Sequence, residues 1–177
     1  MADAAVAELA EQPSAQALTR RKFRELIAAG CLGPGDQHIT LIAGEPQVVQ
    51  QEDPEHAFLV RHLTRLLLRL IADRPDLDAH YELALAVTSL DEEEGWEPVP
   101  DVMVVAAGPY RTEYPRPHEV HRLAEVGYSQ PALDIAKAAR YAEASIPAVL
   151  LVNVPEHTIS LMTGPREGGT WDILDPA

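Results

Sequence analysis

Three residues have the types and order needed for phosphate chemistry. Asp101 opens the apolar run Val102-Met103-Val104-Val105, Glu125 lies within Leu123-Ala124-Glu125-Val126, and Lys137 follows on a helical stretch. Carboxylate and carbonyl oxygens suit hard divalent cations such as Mg2+, with Mn2+ as a substitute. Placed on adjacent strands, Asp101 and Glu125 can share one ion, with the backbone carbonyl of Val126 as a further oxygen. The ion would offset the repulsion between the carboxylates and polarise a phosphate or activate water. Lys137 would then stabilise charge on a phosphate oxygen or position the water; the alternative is a plain ion pair with Asp134 or Glu125.

The elements carrying these residues are legible from periodicity. Val99 to Ala107 is nearly continuous in apolar residues, the pattern of a central strand buried on both faces, with Asp101 at its entrance. His121 to Tyr128 reads as a second central strand, with Leu123, Glu125 and Gly127 on one face and Ala124, Val126 and Tyr128 on the other. Ser129 or Gln130 caps the next helix, Pro131 sits in its first turn, and the helix runs to about Ser145. Asp134 and Lys137 are three apart and Lys137 and Tyr141 four apart, so all three lie along one helix face. Ile146-Pro147 ends the helix, and strands follow over Ala148 to Val154, His157 to Met162 and Thr170 to Leu174.

Upstream, residues 1–15 form an expected flexible tail, followed by a single domain over 16–177. Ser14 to Ala29 suggests a helix closed by Gly30, beside which Cys31 is expected to be a half-buried structural thiol. Around Gly44-Glu45-Pro46 a hairpin joins His38–Ala43 to Gln47–Gln50, holding Glu45 at a sheet edge. Asp53-Pro54 starts a leucine-rich helix whose Leu59, Leu63, Leu66, Leu67, Leu70 and Ile71 form a broad stripe, with arginines on or beside its boundary. His56 and His62 are about 600° apart around that helix, so they do not pair as metal ligands. Ala79 to Leu90 alternates like a long strand, Asp91 to Glu94 is a solvated turn, and Gly108 to Val120 is an exposed loop. The order of helix, hairpin, helix, three strands, helix and three strands predicts an α/β fold, in the broad sense of an α+β mixed sheet flanked by helices.

Composition sets limits on function. In 177 residues with 46% hydrophobic content, 14 basic residues face 28 acidic ones, a formal net charge of −14. Such a chain folds around one core and does not attract nucleic acid through its overall field. Arg111, Arg116, Arg122 and Arg140, with His118, form the candidate local patch for a polyanion. No segment reaches the roughly 20 apolar residues of a membrane span. The N-terminus lacks a basic stretch leading into an apolar core, and one cysteine permits no internal disulfide, so a cytoplasmic protein is expected.

The ordered set of residues resembles the Uma2 family, restriction-endonuclease-like proteins common in bacteria and belonging to the PD-(D/E)xK nuclease superfamily. The matching pieces are Leu41-Ile42-Ala43-Gly44-Glu45, His56, Pro100-Asp101-Val102-Met103-Val104-Val105 and Leu123-Ala124-Glu125-Val126. They continue through Ser129, Asp134, Lys137, Tyr141-Ala142, Ile146-Pro147 and Leu150-Leu151-Val152-Asn153. The resemblance covers approximately residues 30 to 174. It implies a restriction-endonuclease-like core in which Asp101 and Glu125 bind the catalytic metal and the lysine is displaced onto the following helix, at Lys137. It further implies that Glu45 lies near the cleft and reaches the metal through water, and that Asp134 orients Lys137. Ala43 and Thr40 replace the usual aspartate and glutamate of the hairpin, and Val149-Leu150 replaces a common tyrosine-tryptophan pair. The three central polar residues are intact.

The leading expectation is a Mg2+-dependent endonuclease hydrolysing DNA phosphodiester bonds, with a homodimer as the accompanying expectation because double-strand cleavage needs two cuts. The alternatives are a non-catalytic interaction module retaining the nuclease fold, and a hydrolase of a small phosphorylated compound. The last lacks a glycine-rich phosphate loop.

Overall fold

The computed structural model describes residues 17–32, 39–48, 54–127 and 131–174. Helix α1 (Arg20–Ala28) begins at Thr19, whose hydroxyl accepts the Lys22 N–H at 3.2 Å, and closes at Gly30 with φ of +68°. That left-handed turn carries Cys31 away from the helix, and the thiol is exposed rather than half-buried. Residues 14–16 of the expected helix and all of 1–15 lie outside the described residues, as do the caps expected at Asp53, Ser129 and Gln130.

Strands β1 (Ile39–Ile42) and β2 (Glu45–Val48) form a separate antiparallel hairpin. Its turn is Ala43-Gly44, both at positive φ (50° and 77°), one residue earlier than expected from Pro46. Pro46 instead sits within β2 opposite Leu41. This costs no hydrogen bond, because the Leu41 N–H and C=O are turned the other way, to Glu97.

Helix α2 (Pro54–Leu70) leads to a six-stranded mixed sheet in simple sequence order: β3 (Leu77–Tyr81), β4 (Val102–Ala106), β5 (Val120–Gly127), β6 (Ala148–Asn153), β7 (Thr158–Arg166) and β8 (Thr170–Leu174). All neighbours are antiparallel except β5 and β6, which are parallel and joined by α3 (Pro131–Glu143). The expected long strand over Ala79 to Leu90 ends at Tyr81. Beyond it the partner stretch is Pro98-Val99-Pro100, two residues of which have no N–H to offer a ladder, and Glu82 turns the chain off at φ of 49°. Residues 83–87 belong to no strand, the Val87 N–H bonding back to the Leu85 carbonyl, and Leu85 is fully buried.

Side-chain alternation splits the sheet into two apolar layers. Met103, Val105, Leu123 and Val149 pack with Leu85, Tyr141 and Ile146 on one face; Val102, Ala124 and Val126 pack with Val60 of α2 on the other. Helix α3 therefore lies over one face and α2 over the opposite one. Helix α1 is pinned by a buried charge network: Arg20 Nε and Arg24 Nε stand 2.8 and 2.9 Å from Glu97 Oε2, and Arg20 also donates to the Thr88 carbonyl. Two arginines around one carboxylate offset the desolvation of a charge that is costly to bury alone. No described helix is long and apolar enough to cross a membrane.

Candidate active site

Asp101 stands where the β3–β4 ladder runs out. Pro100 before it cannot donate to a neighbour, so the carboxylate faces an interrupted sheet rather than a continuous one. Its Oδ2 accepts the Val126 N–H at 2.5 Å, and its Oδ1 lies 3.4 Å from His56 Nε2. His56, in the first turn of α2, is buried. The α2 helix thus reaches the site as well as covering the sheet.

Glu125 occupies the opposite layer to Val126, on the face covered by α3, and is 2% exposed. Lys137 Nζ donates to its Oε2 at 2.8 Å, and the Tyr141 hydroxyl donates to its Oε1 at 2.7 Å. The four-residue spacing of Lys137 and Tyr141 aims both at one carboxylate. Asp134, one turn earlier, packs its carboxylate against Gly127, where a Cβ would collide with Asp134 Oδ2. Only a glycine at 127 lets α3 bring this third acid so close to the strand.

Electrostatics follow from this packing. Burial pushes the Glu125 carboxyl up to about 7; Lys137 draws it down, and Asp101 pushes it up again. Asp134 is raised by burial and by Asp101, against Lys137 and His56. Burial lowers Lys137, but Glu125, Asp101 and Asp134 outweigh that loss and raise it, so the ammonium keeps its proton. Tyr141 is raised well above its ordinary value by burial and by the same carboxylates, and remains a neutral donor. Three carboxylates therefore surround a single lysine.

That charge imbalance is the test of whether the residues suit a divalent cation. Among the described residues, no group of three His, Cys, Asp or Glu side chains gathers into a metal cluster. The oxygens that would serve an ion there are the two carboxylates of Asp101 and Glu125 and the Val126 carbonyl. Within a strand a residue's N–H and C=O point to the same edge, so the Val126 carbonyl shares the side on which its N–H meets Asp101. An oxygen-only set short of positive charge fits a hard dication.

The remaining sequence candidates make none of these contacts among the described residues. Glu45 is exposed at the start of β2. Arg140 is held by Glu92 and Glu143 at 2.7 and 2.9 Å, and Arg116 lies 3.7 Å from Glu113. Arg111 and Arg122 are exposed. In the loop after β4 the aromatic rings are already engaged: Tyr110 donates to the Ala106 carbonyl at 2.7 Å, and Tyr114 carries the Arg24 guanidinium 4.6 Å above its ring. Two participants had weaker sequence signals, His56 and Tyr141. The spacing of Tyr141 from Lys137 was visible, but its role on Glu125 depended on where the strand lay.

The Uma2 family profile, described as "Putative restriction endonuclease", matches residues 22–175. The chain belongs to the Uma2 family. Comparison with curated proteins gives no match. Among solved structures, the chain is similar to one described as "a putative nuclease belonging to DUF820" from Anabaena variabilis, with a TM-score of 0.66 and 12% identity over 90% of this chain and 85% of that one. At that identity the likeness establishes the nuclease-like fold. The Uma2 match and this fold together support a nuclease-type function.

Proposed function

We propose that this Uma2 protein is a Mg2+-dependent endonuclease that hydrolyses DNA phosphodiester bonds, with Asp101, Glu125 and Lys137 as its catalytic residues. The observation that carries the reading is that Asp101 accepts the N–H of Val126, the residue next to Glu125, while Glu125 is held by Lys137. Asp101, Glu125 and the Val126 carbonyl would hold the ion. When bound, it supplies Lewis-acid polarisation of a phosphoryl oxygen and a more acidic water.

The chain's own residues supply the rest. Tyr141 and Lys137 fix the two oxygens of Glu125, and the Val126 N–H fixes one oxygen of Asp101. Lys137 can turn part of its charge toward a phosphate oxygen, while Asp134 maintains its position. Double-strand cleavage then takes two copies or two successive cuts.

A second reading, a non-catalytic module, is favoured by one feature: the 2.8 Å Lys137–Glu125 pair satisfies the buried carboxylate without an ion. The two are separated by titrating the protein with Mg2+ and Mn2+ in a calorimeter and incubating it with plasmid and oligonucleotide DNA. The nuclease reading expects metal binding and cleavage that Asp101→Asn and Glu125→Gln abolish while the fold is retained. Neither binding nor cleavage by the wild-type protein favours the module; full activity in all the variants overturns the site.

A further inference from the structure

Most of the cations on this acidic chain are already spoken for; of the exceptions among the described residues, Arg111 lies in the loop after β4 and Arg122 on β5, while three stand on one helix. Among the described residues, Arg61, Arg65 and Arg69 have no hydrogen-bond or ion-pair partner, and all three are exposed on α2. From His56 to Ala72 the sequence contains no Asp or Glu. In a chain of net charge −14 this is a local stretch of positive charge, with carboxylates only at its two ends, Glu55 and Asp73.

The geometry of the helix organises these charges. His56, Val60 and Thr64 are its buried residues, so Phe58, Arg61, His62, Arg65 and Arg69 fall on the outward half of the wheel. The arginines are spaced i, i+4, i+8, rising about 6 Å per step. Beside them Phe58, 55% exposed, stacks on His62 with ring centroids 6.0 Å apart and planes 20° apart. Along the helix axis Phe58 and Arg61 lie about 3 and about 8 Å from His56, which meets Asp101 on the inner side of α2, while the row itself runs along the outer side.

A row of unpaired guanidinium groups next to an exposed aromatic stack matches the chemistry of a single nucleic-acid strand, whose phosphates need cations and whose unpaired bases need flat apolar surfaces. We propose that the outward face of α2 is a binding track for single-stranded DNA, with Arg61, Arg65 and Arg69 on its phosphates and the Phe58–His62 stack against an unpaired base. This rests on the nuclease reading and assigns a surface to its substrate. The surrounding acidic surface would confine the strand to this face.

The test is binding of a fluorescent single-stranded DNA 20-mer, measured by anisotropy in EDTA, so that the result does not depend on catalysis or metal. Replacing Arg61, Arg65 and Arg69 together with Gln should weaken binding at least tenfold and flatten the slope of log affinity against log salt by about two. Lysine at the same positions should restore most of the affinity, and Phe58→Ala should weaken single-stranded more than double-stranded DNA. A control with the same loss of charge, Arg21→Gln, Lys22→Gln and Arg166→Gln, should bind like wild type; circular dichroism checks that each variant folds. Unchanged binding in the α2 triple variant overturns the track while leaving nuclease activity to stand on its own assay. So does a wild-type protein that binds no oligonucleotide, or α2 variants that lose binding only to phosphatidylserine vesicles.

Discussion

Lys137 Nζ lies 2.8 Å from Glu125 Oε2 in a setting where the lysine side chain is 12% exposed and the glutamate side chain 2%. The ammonium is shared, since Asp101 and Asp134 also act on it. Its removal leaves a buried carboxylate facing other carboxylates, and breaking such a pair costs about 3–5 kcal/mol. Lys137→Met should therefore lower stability by about that much in urea melts with EDTA at pH 8. Adding Glu125→Gln should recover most of the loss, because the charge that lacked a partner is gone. A double variant no more stable than Lys137→Met would show that the pair is not what Lys137 supports.

Tyr141→Phe removes only the hydroxyl that donates to Glu125 Oε1. The ring stays in the core, so the expected cost is that of a buried acceptor losing its donor, about 1–3 kcal/mol. In the nuclease reading turnover should fall as well, since one oxygen of Glu125 is no longer held. Equilibrium denaturation and a cleavage assay on the same protein measure the two effects.

Glu125 also sets a pH dependence. Its carboxyl is raised from 4.5 to about 7 in the fold, so between those values the folded state binds more protons than the unfolded one. Its contribution should thus be most favourable below about pH 4.5 and be lost as pH rises toward 7. In EDTA the melting temperature of wild type should fall across this window relative to Glu125→Gln, which lacks the titration. Mg2+ should raise the melting temperature more at pH 8 than at pH 5.5, because the ion competes with a proton for the carboxylate. A difference between wild type and Glu125→Gln that does not vary with pH would place the titration elsewhere.

Gly127→Ala places a methyl group where the Asp134 carboxylate now lies. Asp134 must move, taking with it one of the charges that hold Lys137 in place. Turnover should fall, and stability should fall only by about 1 kcal/mol, the low end for overpacking, because the atom met is the free end of the Asp134 side chain. Combining it with Asp134→Ala should relieve the crowding, so the two effects on stability should be clearly less than additive in a double-mutant cycle.

The local chemistry of the chain determined a good part of this arrangement. Alternation put Glu125 on the face opposite Ala124 and Val126, a continuous apolar run marked β4, and the spacing of Asp134, Lys137 and Tyr141 placed them on one side of α3. The ordered motif carried the family resemblance, which the family match over residues 22–175 bears out. These are properties of neighbouring residues, which periodicity records. Tertiary structure decided what no local pattern contains: that Tyr141 and Lys137 take the two oxygens of one glutamate, that His56 comes from a distant helix to Asp101, and that the strand after Tyr81 leaves the sheet because its partner stretch carries Pro98 and Pro100. It also decided which arginines are free to act. Arg140 and Arg61 are alike as letters, but one is consumed by Glu92 and Glu143 while the other faces solvent without a partner among the described residues, because ion pairing depends on what folding brings within a few ångströms.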